Sequence, residues 1–144
     1  SLTTNTMRSS KAVKTYQNKL SVALNEIGLE DPYFAWYLTS TYGKQAELII
    51  EKMSAFTNKN IELQLARAEL WYGIHYEMIN SLSDFFVRRT GRLFFDVTSI
   101  SLCKNVIIKD CIQYLNWDET RIKQEKKELN RLVKDATFFY DKEF

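Results

Sequence analysis

The chain has 144 residues, of which 45% are apolar and 26% charged, a size and balance that fit one folded domain and exclude intrinsic disorder of its body. Twenty Lys and Arg against eighteen Asp and Glu leave a net charge of +2, too small to imply a nucleic acid or an acidic membrane by itself. The four glycines, Gly28, Gly43, Gly73 and Gly91, each stand at least fifteen residues from the next, so neither a dinucleotide fingerprint nor a P-loop can be built from them.

Residues 1–8 are rich in Ser, Thr and Asn and read as a flexible N-terminus. From Ser10, the apolar residues Val13, Tyr16, Leu20, Ala23, Leu24 and Ile27 recur at spacings of three and four, which predicts one amphipathic helix. Gly28 stands where a left-handed cap would end it. Asp31-Pro32 then reads as a helix start, with Asp as cap and Pro in the first turn. The following run, Tyr33 to Tyr42, is apolar and aromatic on nearly all sides, which predicts a largely buried helix. Gly43 ends or bends it. Ala46, Ile49, Ile50 and Met53 make a further short stripe, closed by the polar loop Thr57 to Asn60.

Ile61, Leu65, Ala68 and Trp71 predict a helix of about four turns, whose end Gly73 would weaken by roughly 1 kcal/mol relative to Ala. Ser81 with Asp84 three residues on reads as a capping box that opens a helix through Phe85, Phe86 and Arg89. Gly91 would terminate it. Ile100, Cys103, Val106, Ile107, Cys111, Tyr114 and Leu115 share one face of the next helix. The last helix is expected to start near Asn116, with Glu119 at its third position. No stretch reads as a strand. The expected fold class is all-α, a compact bundle of six to seven helices.

Few residues suggest chemistry. His75 is the single histidine, and a zinc site needs three or four convergent ligands, so it reads as structural. Cys103 and Cys111 are eight residues apart on one helix, roughly 12 Å, too far for a disulfide. Their apolar face makes them buried, reduced thiols, and thiols of that kind fit a reducing compartment. The twenty aromatic residues fall mostly at core spacings. Glu77 and Asp84 lie on either side of a predicted break and read as cap or ion-pair groups. Arg88 and Arg89, with Arg92 close behind, are the densest basic spot. On a regular helix Arg88 and Arg92 would share one face. A solvated face or an ion pair within or between domains fits them better than phosphate binding, with Glu77, Asp84 and Asp96 the nearest carboxylates in sequence. No run approaches the ~18–20 apolar residues of a membrane span, and the first ten residues lack a signal-peptide pattern. The chain opens Ser1-Leu2 with Met7 internal, and reads as a piece of a longer protein.

Three stretches carry a resemblance. "YLTSTYGKQAELII" (Tyr37 to Ile50), "AELWYGIHYEMINSLSDFFVRRTGRLFFD" (Ala68 to Asp96) and "YLNWDETRIKQE" (Tyr114 to Glu125) occur in the order and spacing of the C-terminal helical domain of FAD-dependent glycerol-3-phosphate oxidases and dehydrogenases, the alpha-glycerophosphate oxidase family. The resemblance covers about Asp31 to Tyr140 and leaves residues 1–30 unplaced. The family usually has Gly where Asn116 stands. It implies that residues 31–144 are the C-terminal domain of a larger flavoenzyme, after residues 1–30 as a flexible start and one amphipathic helix. It further implies that the parent oxidises sn-glycerol 3-phosphate to dihydroxyacetone phosphate, with oxygen or quinone as acceptor, in the cytoplasm.

No catalytic, cofactor-binding or metal residue of that family falls on this chain, and FAD belongs to the parent. The implied partners are the FAD and substrate domains of the same chain, with a homo-oligomer left open. Neither nucleic acid nor a membrane span is expected. An independent helical interaction module is the alternative reading.

Overall fold

The computed structural model describes residues 10–56, 60–90 and 97–143. Seven α-helical segments and no strand occur among the described residues, as the periodicities predict. They are α1 (Ser10–Glu26), α2 (Pro32–Tyr42), α3 (Ala46–Met53), α4 (Ile61–Tyr76), α5 (Leu82–Asp84), α6 (Val97–Leu115) and α7 (Glu119–Glu143). The chain divides into two compact units, Ser1–Ala68 and Glu69–Phe144, so the division falls inside α4.

In the first unit, α1 ends as the glycine predicts. Gly28 has φ 103°. Its N–H donates to the Asn25 carbonyl at 3.2 Å, and the Leu29 N–H reaches back to the Leu24 carbonyl at 2.9 Å. That pair of bonds is a Schellman closure, with its apolar contact supplied by buried Leu24 and Leu29. Asp31 caps α2 by accepting from the Tyr33 N–H at 3.0 Å, with Pro32 in the first turn. Gly43, at φ 57°, bends the chain through a 3₁₀ turn, Gly43–Gln45, into α3.

Leu20, Leu24, Leu38, Ile49 and Met53 are buried in this unit, each worth roughly 1.5–3 kcal/mol by removal from water. Tyr16 of α1 donates to the Lys44 carbonyl at 3.0 Å, and Lys19 pairs with Glu47 at 2.7 Å. These two contacts fasten α1 to the α2–α3 corner. Burial, with the Glu47 charge nearby, pushes the Tyr16 phenol up to about 12. Asn60 caps α4 by accepting from the Glu62 and Leu63 N–H groups. Arg67 lies 4.2 Å from the centre of the Phe56 ring, which locks the end of α3 to α4.

Two expectations change here. Helix α2 is not buried all round: Tyr33 and Trp36 are 49% and 53% exposed. Gly73 does not stand at the helix end, because α4 continues to Tyr76. Its role is steric. The chain folds back so that the Ile79 N–H donates to the Gly73 carbonyl at 3.0 Å, and a Cβ on Gly73 would stand 2.5 Å from the Ile79 Cδ1.

In the second unit, Ser81 accepts from the Asp84 N–H at 3.0 Å and opens α5, as its spacing predicts. The chain then widens into a π-helical segment, Phe85–Thr90. Its hydrogen bonds run i→i+5, and Arg88 and Arg89 stand in it. The expected terminator Gly91 and Arg92 lie outside the described residues.

Helix α5 packs on both α6 and α7. Phe85, Phe86, Leu82, Ile107 and Leu129 are buried. The last helix starts later than expected. Asn116 closes α6 in the left-handed region, φ 54°, donating to the Ile112 carbonyl at 2.9 Å. This is a conformation Asn tolerates better than most residues. Asp118, not Asn116, is the cap of α7: its Oδ1 accepts from the Arg121 N–H at 2.8 Å.

Candidate functional site

A polar constellation joins the loop before α5 to the first two turns of α7. Asp118 fixes the start of α7 and so aims Arg121 and, one turn on, Glu125. The Arg121 Nε donates to the Glu125 Oε2 at 2.9 Å. The Arg121 Nη2 donates to the Asn80 carbonyl at 2.6 Å. Its guanidinium also lies 5.1 Å from the ring of buried Trp117. The other Glu125 oxygen, Oε1, accepts from the Leu82 N–H at 2.8 Å. One carboxylate thus pairs an arginine and caps α5, at the helix end where negative charge is favoured. The Glu125 side chain is only 13% exposed, so these bonds work in a medium of reduced screening.

Cys111 and Asp110 of α6 are buried, with the Cys111 thiol in the field of this cluster. Burial first, then the Asp110 and Glu125 charges, push the thiol from 9.0 up to about 12, against the opposing effect of Arg121. A thiol held protonated is a poor nucleophile. Both cysteines are buried and neither is in a disulfide. Native Cys111 should therefore resist a bulky thiol reagent, and Cys111→Ser should cost about 1–3 kcal/mol, as burying a more polar hydroxyl does. Rapid labelling of the folded chain at Cys111 would contradict this.

The pH dependence has a definite sign. The folded state keeps the Cys111 and Tyr16 protons that the unfolded chain releases near their ordinary values of 9.0 and 10.0. Stability from both groups is full below pH 9.0 and falls as pH rises toward 12, which denaturant midpoints across that range would show.

His75 is exposed and structural in its contacts. Its Nδ1 donates to the Trp71 carbonyl at 2.8 Å, and its ring meets Tyr114 edge-on at 5.4 Å. Of the carboxylates singled out in sequence, Glu77 is half-buried just after α4 and Asp84 is half-buried at the end of α5. Arg88 and Arg89 sit in the π-helical segment, but their side chains, like Asp96, lie outside the described residues. Arg121 and Glu125 escape a reading of local pattern, although their i,i+4 spacing within Tyr114 to Glu125 is the signal that marks them.

A depression of about 630 Å³ in the first unit is lined by Leu29, Glu30, Asp31, Phe34, Asn60 and Glu62. Asp31 and Asn60 are engaged as helix caps, and the remaining charges are negative. Such a lining disfavours an anionic group at this depression. Among the described residues no helix is long and apolar enough to cross a membrane.

The family described as the C-terminal domain of alpha-glycerophosphate oxidase matches residues 5–122, and so takes in α1, which the resemblance leaves unplaced. The chain is 34% identical over 103 residues to the aerobic glycerol-3-phosphate dehydrogenase of Bacillus subtilis (strain 168), covering 69% of this chain and 18% of that protein. It is 27% identical over 101 residues to the enzyme of the same name from Staphylococcus haemolyticus, with the same coverage of each. The chain thus spans about a fifth of the length of these curated relatives. By its match from residue 5 through the Asp118–Arg121 start of α7, this chain belongs to the family of alpha-glycerophosphate oxidase C-terminal domains.

Proposed function

We propose that this chain is a non-catalytic accessory domain of a larger flavoprotein that oxidises sn-glycerol 3-phosphate to dihydroxyacetone phosphate. The family match over residues 5–122 carries this reading. The names of the relatives supply the substrate class, and their much greater length leaves room for flavin and substrate domains on the same chain. FAD, with oxygen or quinone as acceptor, belongs to that larger part. Asp118, Arg121 and Glu125 are engaged in caps and a pair, and the thiol at Cys111 is held protonated, which supports a structural role. Two buried cysteines also suit a cytoplasmic protein. A homo-oligomer of the parent is compatible with this reading.

The test is a titration of the 144-residue chain with FAD, followed by flavin fluorescence. No saturable binding and no turnover of glycerol 3-phosphate are expected. Stoichiometric micromolar binding would remove the accessory-domain reading.

Within that role, Arg88 and Arg89 fix packing and do not touch substrate. Cations in the last turn of a helix are favoured by roughly 0.3–1 kcal/mol each. One arginine pairs with a carboxylate of this chain, with Glu77, Asp84 and Asp96 as candidates, and the other reaches a neighbouring domain. Arg88→Ala and Arg89→Ala should then differ in thermal stability, and neither should selectively raise KM in the full-length enzyme. A large KM increase at unchanged stability would place these residues at the substrate phosphate instead.

A further inference from the structure

Helix α2 carries no charged residue from Pro32 to Tyr42. One face, Ala35, Leu38, Thr39 and Tyr42, is buried. A helix that is apolar all round is a buried helix, yet a second face of α2 is open. Tyr33 and Trp36 are 49% and 53% exposed, and their rings lie 5.8 Å apart. Half-buried Tyr37 stacks on Tyr33 at 5.8 Å and 17°. The three rings, at positions i, i+3 and i+4, therefore form one preassembled platform.

Aromatic enrichment with no charge is the composition of an interface core, not of a solvated surface. Interlocked rings on a helix also lose little freedom when covered, the property that makes aromatic residues strong anchors. The length of the relatives indicates what can cover them. The relatives that this chain matches are mostly made of sequence outside it, since it spans 18% of their length. An uncharged aromatic patch suits a permanent contact within one polypeptide better than a transient encounter.

We infer that the Tyr33–Trp36–Tyr37 face of α2 is the surface by which this domain docks on the flavin-carrying body of the longer protein. The inference rests on the flavoprotein reading and adds the surface to it.

Hydroxyl-radical footprinting compares the 144-residue chain with the flavin-loaded full-length protein encoded by its complete open reading frame. Tyr33 and Trp36 should be oxidised in the short chain and lose that reactivity in the long one. Trp36→Ser should leave the circular dichroism and denaturation midpoint of the short chain unchanged. In the full-length protein the same change should speed proteolytic release of the domain by roughly tenfold, the scale of a lost interface aromatic. Equal oxidation of Trp36 in both proteins overturns this inference while leaving the flavoprotein reading intact. Protection already present in the short chain overturns it too, in favour of a second copy or another part of the same chain. An open reading frame with no flavin-binding body removes both readings.

Discussion

Replacing Glu125 by Ala should destabilise the second unit by about 1.5–3 kcal/mol, the range for hydrogen bonds to charged groups. Three losses coincide in this one change. The Leu82 N–H loses its acceptor at the start of α5. Arg121 loses the carboxylate 2.9 Å from its Nε, and its remaining bond to the Asn80 carbonyl supplies no compensating charge. The α7 turn that holds Trp117 under the guanidinium is then left to Asp118 alone. Glu128→Ala supplies the comparison. Glu128 also pairs with an arginine, Arg131, at 2.6 Å, but its side chain is 48% exposed, so the change should cost about 0–1 kcal/mol. Denaturant unfolding of the two variants separates the cases, and equal effects would show that the Glu125 bonds carry no special weight.

Glu125→Gln refines the result. The amide keeps an oxygen for the Leu82 N–H while removing the charge beside Arg121. A loss smaller than that of Glu125→Ala would assign the difference to the cap, and an equal loss would assign the whole effect to charge. Removing the carboxylate also removes one of the influences that raise the Cys111 pKa. Either variant should therefore make that thiol somewhat more acidic.

What could be read from the sequence follows the reach of each interaction. Asp31, Ser81 and Gly28 act on their own neighbours, so residue type and spacing reveal them. Asn116 is ambiguous for a physical reason: Asn is favoured both as an N-cap and in the left-handed region. Only the bond from the Arg121 N–H to Asp118 decides which role it takes. Glu125 reaches a partner 43 residues away, and no local pattern encodes that distance. Gly73 looks like a helix flaw until Ile79 is seen folded against it. For α2 the pattern records apolar character on every side, but this chain covers only part of it. The carboxylates Glu77 and Asp84 are legible as polar groups near a break, while Arg121 and Glu125, which pair at 2.9 Å, are visible only as an i,i+4 spacing.

The largest single loss should come from Phe86→Ala. Neighbouring residues on a regular helix point about 100° apart, so two adjacent residues are rarely both at the centre of a core. Phe85 and Phe86 are both completely buried, with ring centres 5.1 Å apart at 64°, an edge-to-face pair. They open the π-helical segment, whose wider turn changes the direction of successive side chains. Truncating Phe86 removes a large apolar volume and one half of that aromatic pair. It should cost about 3–5 kcal/mol, roughly a fifth or more of the ~5–15 kcal/mol that holds a typical domain together. A melting temperature lowered by roughly 10 °C is the corresponding thermal readout. Phe86→Leu keeps most of the apolar volume and should lose distinctly less. Met78→Ala is the surface control: Met78 is 89% exposed, and Ala keeps the Cβ that already stands in its left-handed backbone, φ 60°, so the change should stay within about ±0.5 kcal/mol. If Phe86→Ala behaved like Met78→Ala, the ring would not be part of a close-packed core, and the π-helical segment would have to be held by something other than its two phenylalanines.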